Sequence, residues 1–370
     1  MIKMYSSEIS DLDSMLRIVK EMVEETVVEI MNSLMNEMNM YSSELLDIAY
    51  SAKDFILRGG KRIRPLLVLL GYWSREWGLQ NPNIKYLVSS VEFLHNYLLI
   101  HDDIMDRDVV RRGGPTIHVL FRNKCIERSM VDCDHYGVSQ AITIGDYLEA
   151  LAVNMFSKLE LPGDILRKLL QTYTRGLRLV AYGQYLDVLT SQLPLRSISE
   201  KHVVTVHILK TASYTVELPL HIGAIASGGD ENLLRDLSAY AIPAGLAFQL
   251  VDDVLGLFGD EKVTGKPADS DVKEKKKTLL IVKAYELASN GDREFLEEIY
   301  DRRGSRDISL SDVEKVRKIV VESGSLDYVK KRIAEEAGKA RKAIESSSSI
   351  NVKAKNILTE LLDLIISREK

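Results

Sequence analysis

The sequence predicts an all-α protein, and three observations carry that expectation. Apolar residues recur at helical spacing through most of the chain, as in Leu12 to Leu34 and Tyr86 to Asp106. Alternating strand patterns are nearly absent. Turn residues at Arg58-Gly59-Gly60, Asn81-Pro82-Asn83, Gly113-Gly114-Pro115, Pro162-Gly163, Gly228-Gly229 and Ser346 to Ser349 leave helix-length segments between them.

In chain order, the Met-rich segment from Leu12 mixes acids into several faces, which suits an outer helix of a bundle better than a coiled coil. Gly59 to Pro65 is a basic turn at a helix start, and Tyr86 to Asp106 is a long helix ending in acids. Arg122 to Tyr136 carries no motif and reads as a mobile loop. An apolar helical run leads to Asp252-Asp253, and the serines at 346–349 read as a solvated turn before one last helix. No fixed-period repeat divides the chain, so one helical domain is expected over 1–370, with a motif-bearing core at about 59–278 and C-terminal helices to 370.

Composition narrows the function. Hydrophobic residues make up 45% and charged residues 28%, enough to bury a core in a chain with few prolines. A net charge of −5 argues against a general nucleic-acid or acidic-membrane surface. The N-terminus lacks a basic segment followed by an apolar run, and no stretch reaches the length of a membrane span, so a cytoplasmic protein without stable membrane insertion is expected. Cys125 and Cys133 stand eight residues apart without metal-ligand spacing and are expected as reduced thiols.

The chemistry lies in LLIHDDIMDRDVVRRGG, residues 98–114. On a helix Asp102 and Asp106 share a stripe about 6 Å apart along the axis, and His95 falls in line with Asp102 two turns earlier. Acids at the negative end of a helix dipole destabilise it unless a cation is present. Asp252 and Asp253 end a second apolar helical run, with Asp260 following. Carboxylates offered in this way suit Mg²⁺ shared with substrate phosphates, which predicts a diphosphate substrate. Gly59-Gly60-Lys61-Arg62-Ile63-Arg64-Pro65 adds three cations at a helix start, and Arg111, Arg112, Lys210, Lys266 and Lys276 add more. Acids that hold metal beside bases that hold phosphate imply two diphosphates, one held through Mg²⁺ and one through Arg and Lys.

With these motifs in place the sequence resembles the trans-isoprenyl diphosphate synthases, or polyprenyl synthetases, and is most like those that make geranylgeranyl diphosphate. The resemblance comprises, in order, GGKRIRP (59–65), HNYLLIHDDIMDRDVVRRGGPTIH (95–118), Gly145-Asp146, GQYLD (183–187), KTA (210–212), FQLVDDVLGLFGD (248–260) and Gly265-Lys266. It implies an all-α bundle around a deep apolar cavity, a homodimer, Mg²⁺ as cofactor, and head-to-tail condensation of isopentenyl diphosphate with dimethylallyl, geranyl or farnesyl diphosphate. Asp102, Asp106 and Asp252 resemble the Mg²⁺ ligands, supported by Asp103 and Asp253. Lys61, Arg64, His95 and Arg112 resemble the groups that hold isopentenyl diphosphate. Arg111, Lys210, Thr211, Gln249, Lys266 and Lys276 resemble contacts to the allylic substrate. Lys276 also reads as part of a solvated run from Lys275 to Lys277.

The family's second cluster often has a third Asp four residues after the first; here that place holds Gly256, so metal binding is expected to rest on Asp252 with help from Asp260 or water. Tyr97, five places before the first aspartate and followed by the smaller Leu98, resembles the family's chain-length floor and implies a C20 product, with farnesyl and C25 diphosphates as the alternatives. A metal-dependent phosphohydrolase, suggested by the His101-Asp102 doublet, is disfavoured because His118 and His135 flank turns, while His202, His207 and His221 lack acid partners at ligand spacing. A terpene cyclase would not need the GGKRIRP site, and a regulatory subunit of the same fold would be expected to have lost part of the acidic clusters.

Overall fold

The computed structural model describes residues 11–78, 80–259, 270–304 and 307–367, and among them helix dominates as predicted. Helix α1 (Leu12–Tyr41) starts at a capping box in which Asp11 accepts from the Ser14 amide at 2.8 Å and the Ser14 hydroxyl accepts from the Asp11 amide. Met15, Val19, Val23, Val27 and Ile30 bury one stripe of it, the single covered face expected of an outer helix. Each such side chain contributes about 2 kcal/mol of apolar burial. The stripe rests on α2 (Leu46–Leu57), α3 (Ile63–Trp73) and α4 (Ile84–Asp106).

After α4 a two-residue hairpin pairs β1 (Val110–Arg111) with β2 (Gly114–Pro115), antiparallel, with Val110 opposite Pro115. Helices α5 (Ile117–Glu127) and α6 (Cys133–Asn154) then pack on each other, and α6 packs on α4. The loop expected over 122–136 is therefore mostly helix, and the turn is confined to 128–132, where Ser129 and Asp132 take left-handed backbone angles. The reduced-thiol expectation is overturned too. Cys125 and Cys133 form a disulfide across this turn, with Cα atoms 5.4 Å apart. Spacing alone does not reveal that two packed helices bring the thiols together.

The chain continues through α7 (Gly163–Gln192), α8 (Glu200–Val206), a π-helical stretch (His207–Glu217), α9 (Leu218–Ala226) and α10 (Glu231–Phe258). Beyond them lie the short α11 (Ser270–Lys273), α12 (Leu279–Leu287), α13 (Asn290–Glu297) with a π-helical end (Glu298–Arg302), α14 (Leu310–Glu322), α15 (Ser325–Ser346) and α16 (Val352–Ile366). The contacts group into two compact units, Met1–Leu170 with Ile222–Gly228, and Gln171–His221 with Gly229–Lys370. In the second unit α10 packs along α15 and the π-helical stretch, over a core that includes Leu250, Leu280, Ile299, Val316 and Ile333.

Two further expectations need revision. Helix α10 is long and apolar enough to cross a membrane by length and composition, although 56% of its most apolar window is buried in the fold. Its hydropathy is that of a core helix. The serine turn is pinned rather than simply solvated. Ser347 is buried, its hydroxyl donates to Asp236 at 2.6 Å, and the same oxygen accepts from the amides of Ser349 and Ile350.

Candidate active site

In the first unit, the four aspartates at the end of α4 divide into two pairs with different roles. Arg107, at φ 60, terminates the helix and turns the chain into the β1–β2 hairpin. Arg58 holds the hairpin by donating to the Pro115 carbonyl at 2.6 Å, and the Thr116 hydroxyl donates to the Asp108 carbonyl at 2.9 Å. The hairpin carries Arg111 back over the helix end, where Nε donates to Asp103 and Nη2 donates to Asp108 at 2.7 Å. Asp103 is fully buried, and burial pushes its carboxyl up to about 7 against the pull of Arg111. Asp102 and Asp106 stay half-buried at the helix end. Arg111, expected at the allylic substrate, is here the counter-ion of the two buttressing acids.

The basic residues also divide. Arg62, the helix-start cation at φ 52, is buried against Glu92 and donates to the Ile56 carbonyl at 2.7 Å. It is a structural ion pair, so GGKRIRP offers two cations to a ligand and not three. Arg64 Nη1 lies 3.3 Å from His95 Nε2, and Arg112 donates to Asn96 at 3.4 Å. Burial, with Arg64 and Arg112 as the nearest contributors, drives the His95 pKa well below its usual value, so the ring is neutral at pH 7. Burial and neighbouring arginines likewise lower that of Arg112, although Glu92 opposes them. Cations crowded in a dry site favour an incoming anion.

One turn before Asp102, Tyr97 stacks edge-on against His101 with ring centroids 4.8 Å apart. His101 Nε2 in turn approaches the Ile142 carbonyl on α6 at 3.3 Å. A Cβ on Gly145 would come within 2.4 Å of His101 Nε2, which accounts for the glycine of the Gly145-Asp146 motif. Leu98 is half-buried beside Tyr97 on α4.

In the second unit, Lys210 lies in the π-helical stretch, a helix form frequent at functional sites. It donates to Asp187 Oδ2 at 2.6 Å. A Cβ on Gly183 would meet the Lys210 backbone nitrogen at 2.5 Å, so GQYLD supplies both the close helix approach and the carboxylate. Thr211 donates to Gln249 at 2.8 Å, and Gln249 donates to Asp253 at 2.9 Å. These three side chains form one relay that fixes Asp253, a buried carboxylate whose pKa burial raises well above normal. His207 Nε2 stands 3.3 Å from Asp253 Oδ2, so the expectation that His207 has no acid partner is corrected. Lys276 pairs with Glu274 at 2.7 Å and with Asp271 at 3.8 Å. Its neighbour Lys277 is not solvated. Its buried ammonium donates to the carbonyls of Ser191 at 2.9 Å and Leu193, capping the end of α7. Lys266 and Asp260 lie outside the described residues.

Asp187, His207 and Glu92 were assigned no role from sequence. Asp187 was visible within the GQYLD motif; the other two carry no local signal.

The donor chemistry fits Mg²⁺. Asp103 Oδ2 is buried without a hydrogen-bond partner beside Asp102, and the buried Asp253 Oδ2, beside Asp252, has the His207 ring as its neighbour. Among the described residues no three His, Cys, Asp or Glu side chains converge on one point. Carboxylates offered in ones and twos are the donor set Mg²⁺ uses when phosphate oxygens and water complete its shell.

These features, an all-α fold with aspartates at two helix ends and buried cations, define a diphosphate-handling helical enzyme. The polyprenyl synthetase family model matches residues 46–320, and the chain belongs to that family. It is similar to the geranylgeranyl diphosphate synthase of Sulfolobus acidocaldarius, 32% identical over 90% of this chain and 95% of that one. It also resembles the geranylfarnesyl diphosphate synthase of Aeropyrum pernix, 34% identical over 85% and 92%. Among solved structures it superposes with a TM-score of 0.88 on a geranylgeranyl pyrophosphate synthase from Corynebacterium glutamicum complexed with isoprenyl diphosphate and magnesium, 28% identical over 97% of this chain and all of that one.

Proposed function

We propose that the protein is a Mg²⁺-dependent short-chain prenyltransferase that condenses isopentenyl diphosphate with an allylic diphosphate and releases diphosphate, with geranylgeranyl diphosphate as main product. One observation carries the reading of two diphosphates. Along α4, His95, with Arg64 and Arg112 beside it, stands about 10 Å by helix rise before Asp102 and about 16 Å before Asp106. Helix α4, with the arginines packed against it from α3 and the hairpin, thus lines a cationic anion site and, two turns on, a metal-type site.

On this proposal Lys61, Arg64, His95 and Arg112 hold isopentenyl diphosphate, and Asp102, Asp106 and Asp252 supply the Mg²⁺ ligands. These carboxylates would hold Mg²⁺, which when bound would supply positive charge to the departing diphosphate. Lys210 adds positive charge for the same leaving group, held in place by Asp187. Arg111 keeps Asp103 and Asp108 in position, and the Thr211–Gln249 relay does the same for Asp253. The allylic cation formed on ionisation is attacked by the double bond of isopentenyl diphosphate, and a proton is then lost. Departed diphosphate serves as the proton acceptor, so no protein base is needed. Tyr97, backed by His101, sets the floor for the growing chain, with Leu98 next to it.

The similarity to a geranylfarnesyl diphosphate synthase keeps the C25 product as a second reading. A homodimer is supported by Tyr182, Tyr185 and Leu189, exposed at helical spacing on α7, a stripe suited to a second copy. We place the enzyme in the cytoplasm. Incubation with radiolabelled isopentenyl diphosphate, each allylic primer and Mg²⁺, followed by chain-length separation, is expected to give a C20 product. Turnover of an allylic diphosphate alone would instead indicate a cyclase.

A further inference from the structure

Glu92 and Asn96 stand one turn apart on α4, and both are buried, at 2% and 0% exposure. A charge and an amide cost free energy in such a place unless they are paired. Here they are paired with the two turns that carry the cations of the first unit. Glu92 Oε1 accepts from Arg62 Nη1, and from Asn96 Nδ2 at 3.0 Å. Asn96 Nδ2 also donates to the Glu92 carbonyl at 2.7 Å. Two acceptors on that side hold the amide nitrogen toward Glu92. The amide oxygen therefore faces the β1–β2 hairpin, where it accepts from Arg112 Nη1 at 3.4 Å. Both arginines occupy strained backbone. Arg62 at φ 52 and Arg112 at φ 51 are left-handed, which costs a residue with a side chain free energy and persists only where the surroundings fix it. Their guanidinium groups also converge on Gly60, where a Cβ would lie 3.2 Å from Arg112 Nη2 and 3.6 Å from Arg62 Nη1. Two cations drawn to one point repel, and Glu92 is the anion that attracts both.

We infer that Glu92 and Asn96 are positioning residues for isopentenyl diphosphate: one turn of α4 sets the 59–62 turn through Arg62 and aims Arg112 through the Asn96 amide. This rests on the reading of Lys61, Arg64 and Arg112 as the isopentenyl diphosphate site. Neither residue contacts the substrate on this reading, and each acts through an arginine. The choice of partner suits the task. Arg111 is held by two carboxylates, which neutralise it. Arg112 is held by a neutral amide, which orients the guanidinium and leaves its charge for an anion.

The test is steady-state kinetics of the full-length chain with Mg²⁺, with the KM for isopentenyl diphosphate and the KM for the allylic primer measured separately, alongside kcat. Asn96→Leu keeps the side-chain volume and removes the amide. It is expected to raise the KM for isopentenyl diphosphate about tenfold, the loss of one hydrogen bond to a charged group, while the allylic KM and kcat change by less than about twofold. Asn96→Asp, which neutralises Arg112 in place, should raise the same KM further. Because Asn96 acts through Arg112, Asn96→Leu/Arg112→Gln should be no worse than Arg112→Gln alone. Arg62→Met/Glu92→Leu removes the ion pair without stranding a buried charge, so urea stability should stay close to that of the wild type while the isopentenyl diphosphate KM rises. Glu92→Gln, which keeps the acceptor and drops the charge, replaces that variant should it not fold, and the same rise is expected of it. If both KM values and kcat shift together in Asn96→Leu, or if its loss adds to that of Arg112→Gln, Asn96 only packs the core and the inference is wrong. An unchanged isopentenyl diphosphate KM in the folded Glu92 variant overturns the role of Glu92. If Arg112→Gln itself leaves that KM unchanged, the underlying assignment of the site fails, and the inference fails with it.

Discussion

Lys210 Nζ and Asp187 Oδ2 lie 2.6 Å apart, joining the π-helical stretch to α7 inside one unit. If Asp187 aims the ammonium at the leaving group, the two act as one device. Lys210→Met is expected to lower kcat by about 100-fold, the usual cost of removing one donor to developing negative charge. Asp187→Asn should cost less, and the double variant should be no worse than Lys210→Met alone. Steady-state kinetics on the four proteins decide this, and additive losses would show that the residues act independently.

Asp102 is half-buried at a helix end and takes no part in the Arg111 pairs. Asp102→Ala should therefore abolish turnover while the far-ultraviolet circular dichroism remains that of the wild type. Near-normal activity would refute its metal role.

Tyr97 and His101 brace each other one turn apart on α4. Shortening Tyr97 to alanine opens space below the allylic chain. The product of Tyr97→Ala is expected to be longer than C20 by one or more C5 units on thin-layer or mass analysis. An unchanged product spectrum would remove Tyr97 from this role.

His207 is held neutral by burial, which lowers its pKa from 6.5 to about 4; Asp187 opposes the shift, Lys210 adds to it, and Asp253 lies 3.3 Å away. Because the unfolded state binds the proton first as pH falls, the native state loses stability through this group between about pH 6.5 and 4. Relative to His207→Gln, the wild type should lose roughly 2 kcal/mol between pH 7.5 and 5, measured by urea unfolding. The difference between the two proteins is the observable, since Asp103 and Asp253, shifted upward, contribute slope of opposite sign. A pH-independent difference would mean that the imidazole keeps its unfolded pKa in the fold, and a relative gain in wild-type stability toward pH 5 would mean that it is protonated there.

The Cys125–Cys133 bridge closes a short loop between α5 and α6. Constraint of the unfolded chain by a loop of this length is worth about 2.5 kcal/mol. Cys125→Ser, or dithiothreitol, should lower the Tm by a few degrees, and thiol titration in denaturant should find no free thiol before reduction. Two reactive thiols would restore the reduced pair read from the sequence.

The helices and their order were legible because apolar spacing reports helix faces and turn residues report their ends. GGKRIRP, DDIMD, GQYLD and KTA likewise marked where acids and cations gather. Partner choice was harder to read. Arg62 and Arg64 look equivalent in sequence, yet Glu92, thirty residues on, claims Arg62 and leaves Arg64 beside His95. Arg111 and Arg112 diverge in the same way, one onto Asp103 and Asp108, the other onto Asn96.

The amino-acid sequence by itself determined the all-α class, the family and the residue types at each site, because these depend on local periodicity and on motifs a few residues long. Tertiary structure decided which aspartates pair with Arg111, that Lys277 caps a helix while Lys276 stays near the acids, that the cysteines join, and that Asp271 fills the space at Gly256. Those outcomes depend on which segments, distant along the chain, come within a few ångströms, and burial then sets the charge each group carries.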